Sequence, residues 1–325
     1  MSEYYDNVFV NEDGIVYARG DDYRRIKNLH VNANITNTYQ PINNVPRLRE
    51  LLWLSYNAYV GVTVDDELFS FRDNNSVHFD SPIVSVHIIG DDDHILVLLK
   101  NGKLRLVYYD QEGQLISINQ SVIDQNITQD IVILSPLPKM NPKIERTTKF
   151  LAITSNNEFL VIELSYPTNS MIITRRSTNS YEARLRVIEV LKNTNNLNYH
   201  HIVKINRGHI LMDNDKIYTI NSSMDGYYIG WTHYDVKDVI DLLPLINDNT
   251  VLLTGDGQLH SVRYRDDELI TGAVQNINPI KLLSRYYVDS SSMRHNIVMS
   301  GDEIIIQGTN GIYRVELNGG VTELI

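Results

Sequence analysis

The sequence predicts an all-β chain built from one repeated unit. Three observations carry this. A hairpin pattern recurs along the chain: apolar residues, a short cluster with Asp, Asn or Gly, then apolar alternation. A β-branched apolar segment precedes most copies. The copies are spaced by roughly 35 to 60 residues, which overlaps the range where repeats build propellers or solenoids.

The clearest copy is Ile95 to Val107, with Asn101-Gly102 between two apolar runs. Asn-Gly tolerates the positive φ angles of a two-residue hairpin, so a tight turn of that kind is expected there. In chain order the copies are Val8–Ala18, Tyr59–Phe71, Ile95–Val107, Phe150–Ile162, Gly208–Ile220, Thr250–Val262 and Glu303–Val315. The preceding segments are Leu51–Leu54, Ile83–Ile89, Ile131–Leu134, Val187–Leu191 and Val239–Leu243. Arg47 to Leu54 also fits a helical turn, but its place in the repeat favours a strand. Gln114–Ile118 is a further outer strand behind the third hairpin.

The first hairpin starts at Val8, too early for a preceding strand. After the seventh, Val321–Ile325 sits where one more strand belongs. The simplest reading is a seven-bladed β-propeller closed by pairing of the N- and C-terminal segments. A closed ring leaves only short, protected edges, whereas an open solenoid exposes them. No linker divides the chain, so residues 1–325 are expected to form a single propeller domain. The polar stretches 21–44, 177–181, 193–198 and 290–292 are expected at the surface.

Composition narrows the function classes. The net charge of −11 and pI near 5.3 argue against non-specific nucleic-acid binding, which needs clustered Lys and Arg. With Cys 0 there are no disulfides, thiolate nucleophiles or Cys-ligated metals. No apolar run approaches the roughly 20 residues of a membrane span. Met1-Ser2-Glu3-Tyr4-Tyr5-Asp6 is not a secretory signal, so an intracellular or virion location is expected. The chain is rich in Asn, Ile and Tyr and poor in Ala, the bias of an AT-rich genome such as that of a large DNA virus or a parasite.

No motif of catalysis stands out: Gly-x-Ser-x-Gly, Walker and His-Glu-x-x-His patterns do not occur. No catalytic residue, metal or cofactor is assigned. Asp91-Asp92-Asp93 lacks the spacing of a calcium loop and reads as a solvated turn. His200 and His201 would point to opposite faces of a strand, so they do not chelate together with His209. Asp13, Asp66, Asn101, Asn157, Asp215, Asp256 and Asn310 recur in the hairpins as turn formers. The best candidate surface is Gly226–Tyr234. Its Tyr227, Tyr228, Trp231, His233 and Tyr234 have the character of protein-binding residues, although alternate residues of an outer strand would explain the pattern as well.

Asp13-Gly14-Ile15-Val16-Tyr17-Ala18-Arg19-Gly20 resembles the Asp-Gly-x-Val-Tyr-x-x-Gly hairpin of regulator-of-chromosome-condensation propellers. Asn310-Gly311-Ile312-Tyr313, Asn101-Gly102-Lys103-Leu104 and Asp256-Gly257-Gln258-Leu259 are weaker echoes. The Gly-Gln-Leu-Gly signature of that family is missing; Gly113-Gln114-Leu115 ends in Ile116 instead. The resemblance implies a seven-bladed propeller acting as an exchange factor, a chromatin binder or a protein-interaction module. With the signature missing and the charge acidic, the expectation is a non-enzymatic protein-interaction propeller, and a divergent viral particle component fits the composition. The alternatives are a carbohydrate-binding propeller and a small-GTPase nucleotide-exchange factor.

Overall fold

The computed structural model describes residues 8–11, 13–20, 23, 26, 38–53, 59–89, 94–109, 114–118, 130–137, 147–165, 184–193, 195–206, 208–223, 226–232, 236–244, 249–263, 266–270, 279–283, 303–308, 311–316 and 321–323. They form antiparallel sheets in chain order. The first is three-stranded: β1 (Val8–Val10), β2 (Val16–Ala18) and β3 (Gln40–Pro41). The second holds β4 (Leu48–Trp53), β5 (Tyr59–Thr63), β6 (Leu68–Ser70) and β7 (Asn75–Val77). The third holds β8 (Ile83–Ile89), β9 (His94–Leu99), β10 (Leu104–Tyr109) and β11 (Leu115–Ile118). The fourth holds β12 (Ile131–Pro136), β13 (Thr148–Thr154), β14 (Phe159–Ser165) and β15 (Arg184–Leu191). The fifth holds β16 (Ile202–Asn206), β17 (His209–Met212), β18 (Ile217–Ser223) and β19 (Gly226–Thr232). The sixth holds β20 (Val239–Pro244), β21 (Asn249–Thr254), β22 (Leu259–Arg263) and β23 (Asp266–Ile270). The seventh holds β24 (Pro279–Leu283), β25 (Glu303–Gly308), β26 (Gly311–Glu316) and β27 (Val321–Glu323).

Each four-stranded sheet is a meander, and the first strands of successive sheets lie beside one another: β8 by β12, β12 by β16, β16 by β20 and β20 by β24. This is a β-propeller. The sheets pack face to face, and the cores lie between them. Leu98, Leu104 and Leu106 of the third sheet meet Phe150, Ile162 and Leu164 of the fourth. Ile153 and Phe159 of the fourth meet Ile210 and Ile229 of the fifth. A blade is therefore covered on both faces, and its second strand is the most buried: Tyr59–Thr63 and His94–Leu99 are buried throughout, and in β13 and β17 only the first residues are half-buried. That explains why these strands read as continuous apolar runs rather than as alternation. Each fully buried Leu or Ile contributes roughly 1.5–3 kcal/mol.

The hairpin between β1 and β2 of the first sheet, and between second and third strands of the second to sixth sheets, repeats a single geometry. In the third sheet Gly102 N–H donates to Leu99 O (2.9 Å) and Leu99 N–H to Lys103 O (2.9 Å). The same pair of bonds closes Asn11–Ile15, Thr63–Glu67, Thr154–Glu158, Met212–Lys216 and Thr254–Gln258. Positive φ falls on the fourth residue of each: Gly14, Asp66, Gly102, Asn157, Asp215 and Gly257. This corrects the two-residue turn expected at Asn101-Gly102. It is a type I turn followed by one left-handed residue, so only Gly102 needs positive φ. Thr63, Thr154 and Thr254 add a hydroxyl that accepts from the amide four residues on (3.0, 3.2 and 3.1 Å).

One further expectation is corrected. Val187–Leu191 is not the strand that leads into the fifth hairpin. It belongs to β15, the outer strand of the fourth sheet, and β16 leads into that hairpin. Ile202-Val203-Lys204-Ile205-Asn206 is short and carries Lys and Asn, so it gives a weaker apolar signal than Val187–Leu191. The expected closure of the ring by the two chain ends is not shown: Val321–Glu323 pairs with β26 in the seventh sheet. Among the described residues no pairing joins it to the first sheet.

Candidate functional site

The Gly226–Tyr234 stretch was expected as an aromatic surface, and its described part is β19, the outer strand of the fifth sheet. It pairs along its length with β18, Tyr227 opposite Ser222, Tyr228 opposite Asn221 and Trp231 opposite Tyr218. The strand is anchored to the fourth sheet at its start. Tyr227 N–H donates to Glu189 Oε2 on β15 (2.8 Å), and Lys149 Nζ lies 5.5 Å from the centre of the Tyr227 ring. Gly226, at φ +126°, lets that carboxylate in: a Cβ there would come within 2.8 Å of Glu189 Oε1.

Strand alternation divides the aromatic residues. Tyr227, Ile229 and Trp231 share one face, and Tyr228 lies on the other. Tyr227 and Ile229 join the core between fourth and fifth sheets. Trp231, at the far end of that face, is 58% exposed, and Tyr228 is 52% exposed. The outer-strand explanation thus accounts for Tyr227, while Tyr228 and Trp231 present area to solvent from opposite sides of one edge strand. His233 and Tyr234 lie outside the described residues, as do Asp91-Asp92-Asp93.

Other chemistry is sparse. His200 and His201 lie in a short 3-10 turn, Tyr199–His201, rather than on a strand. The His200 ring lies 3.9 Å from that of Tyr199, and His201 Nδ1 lies 2.7 Å from Asp213 Oδ2 in an exposed pair. Among the described residues no group of three or more His, Asp or Glu is placed to hold a metal ion. His87 on β8 sits against Phe150 of the next sheet, its Nε2 3.1 Å from Ser85 Oγ. Burial pushes its pKa down to about 4, against a weaker opposing backbone hydrogen bond with Leu134, so it is neutral at pH 7. Asp256, fully exposed on the sixth hairpin, is held below the usual carboxylate range, chiefly by the Thr254 hydroxyl donating to it at 2.5 Å.

The recurring Asp and Asn of the hairpins have a role beyond turning the chain. Asp215 Oδ1 accepts the N–H of Val239, the first residue of the next sheet (2.8 Å). Asn157 accepts from Tyr199 N–H (2.9 Å) and donates to Leu197 O (2.6 Å) just ahead of the fifth sheet. Asp66 pairs with Arg49, whose Nη2 also reaches Ile83 O of the third sheet (2.5 Å). These residues join blade to blade. The interaction carries no signature in a single hairpin; only the alignment of all copies brings it out. The 193–198 stretch, expected as an exposed tip, contains the buried Leu197 at the joint to the fifth sheet.

No protein-family profile matches the chain, and no curated protein matches it. Solved structures do. A chain in the structure of YCF48 bound to a D1 peptide is similar over 96% of this chain and 94% of its own, at 12% identity and a TM-score of 0.49. One in the crystal structure of Kap60 bound to yeast RCC1 (Prp20) is similar over 92% and 75%, at 11% identity and 0.45. The WD40 domain of SCAP from fission yeast is similar over 71% of this chain but 53% of its own, at 12% identity and 0.42. These are propeller likenesses at low identity, and they assign the chain to no one propeller family.

Proposed function

We propose that this chain is a non-enzymatic propeller, seven-bladed and closed into a ring, whose work is to hold another protein. Seven sheets in series support the blade number. The observation that carries the interaction reading is the outer strand β19, which holds Trp231 and Tyr228 more than half exposed at the outer edge of the fifth sheet. Large aromatics combine area with a polar handle and dominate interfaces out of proportion to their number. The Asn-, Ile- and Tyr-rich composition supports a viral or parasite origin, and with it a place in a particle or inside the cell.

The test is an affinity isolation of tagged full-length protein from its native cell or particle, beside Tyr228→Ala/Trp231→Ala. A stoichiometric protein recovered with wild type and lost from the double variant is the expected result. Specific turnover on a small substrate without any such protein would overturn the reading, and a glycan-array signal lost in the same variant would replace it with sugar binding.

A further inference from the structure

A β-bulge recurs at one place in every four-stranded sheet: the second residue of the first strand. The register shifts between Leu48 and Glu50, Ile83 and Ser85, Ile131 and Ile133, Ile202 and Lys204, Val239 and Asp241, and Pro279 and Lys281. The extra residues are Arg49, Val84, Val132, Val203, Ile240 and Ile280. A bulged residue leaves the ladder and is re-aimed, which is why bulges gather at rims and sites. Val84, Val203 and Ile240 are 42%, 48% and 40% exposed, and Val132 is half-buried.

These positions share one end of the molecule. At each hairpin tip the second residue's N–H closes onto the carbonyl just ahead of the first strand: Lys100 onto Pro82 (2.8 Å), Ser155 onto Asp130 (2.9 Å), Asp213 onto His201 (2.9 Å) and Gly255 onto Asp238 (2.8 Å). Tips, strand starts and bulges therefore lie together, and neighbouring first strands set the bulges side by side. Exposed single valines are ordinary, but among the described residues six of the seven exposed large apolar side chains lie toward this end: Val64, Val84, Val203 and Ile240 at the tips and strand starts, and Val190 and Trp231 on outer strands beside the fourth and fifth tips. Charge surrounds them. The second tip carries Asp65, Asp66 and Glu67 with Arg49 as the cation paired among them, the fifth carries Asp213 and Asp215 with Lys216, and Asp256 and Asp238 flank the sixth with Lys237. The third tip, with Lys100 and Lys103, is the basic sector.

We propose that the bulge residues Val84, Val132, Val203 and Ile240 form a docking surface for a polypeptide segment that carries apolar side chains flanked by Lys or Arg. The apolar side chains cover the bulges, and the cations face the carboxylates of the second, fifth and sixth tips. The proposal rests on the protein-binding reading but not on β19.

The probe is a fluorescent twelve-residue peptide of alternating Leu and Lys, with Leu/Glu and Ser/Lys peptides as controls, titrated by anisotropy against the full chain at low and high salt. Leu/Lys is expected to bind in the micromolar range and weaken several-fold with added salt, as screened charges do. Val203→Asp/Ile240→Asp is expected to weaken it at least tenfold, and Tyr228→Ala/Trp231→Ala less than twofold. Val203→Ser/Ile240→Ser stands in if the Asp variant fails to fold, which a thermal melt reports. Unchanged binding in the bulge variants, no binding to wild type, or equal binding of Ser/Lys overturns the proposal. Loss confined to the β19 variant also overturns it while leaving the protein-binding reading intact. Self-association of wild type in sedimentation, abolished by the bulge variant, would make a second copy the occupant and overturn it too.

Discussion

The third and fifth sheets meet the next blade through the same hairpin residue but with opposite chemistry. In the third it is Gly102, at φ +77°, against Asp130 ahead of β12. In the fifth it is Asp215, at φ +62°, whose carboxylate reaches across to Val239. Glycine lets the next blade come into backbone contact; aspartate spans the joint with a side chain. The left-handed hairpin residue is thus the point where blade meets blade, and each joint can be filled by proximity or by a hydrogen bond.

Substitutions can break that comparison. The largest effect is expected at Gly102→Ala. A Cβ there would stand 2.6 Å from Asp130 Cβ and 2.8 Å from its Cα, and positive φ adds strain, so a loss of about 3 kcal/mol is expected in urea unfolding. A change under about 0.5 kcal/mol would show that the joint is loose. Asp215→Ala keeps the strained φ and leaves the Val239 amide without its carboxylate, at a cost of about 2 kcal/mol. Asp215→Gly relieves the strain while losing the bond and should cost under about 1 kcal/mol. Equal losses from the two would mean that the hydrogen bond, not φ, decides that joint.

Acid should separate the third-to-fourth joint from the others. His87 has an ordinary pKa of 6.5 and is held at about 4 in the native chain. Between those values the unfolded chain binds a proton that the native chain does not, so stability is complete above pH 6.5 and falls as pH drops to 4. The loss is up to about 3 kcal/mol. His87→Leu should flatten unfolding free energy across that window; an unchanged slope would assign the acid sensitivity elsewhere.

The repeat was legible because its hairpins are buried on both faces and punctuated by turn residues, and Ile83–Ile89 shows it at its best, coinciding with β8. Less was legible where apolar content misleads: Val187–Leu191 outshone Ile202–Asn206, although the latter begins the fifth sheet. Turn type escaped Asn101-Gly102 because a type I turn with a following glycine uses the same residue pair as a mirror-image turn. At the candidate surface, the residue types were visible but their sides were not. Once Gly226–Thr232 is a strand, period two sends Tyr228 away from Tyr227 and Trp231. The bulges were hidden altogether, since one extra residue in a strand leaves no mark in composition.

The central claim is that this propeller holds a protein. The most direct measurement is photo-crosslinking in the native cell, with a benzophenone amino acid at position 231 and, separately, at position 240. The account predicts one discrete protein adduct, formed from at least one of these positions and competed by excess unlabelled chain. No discrete adduct from either position, in variants that melt as wild type does, would contradict it.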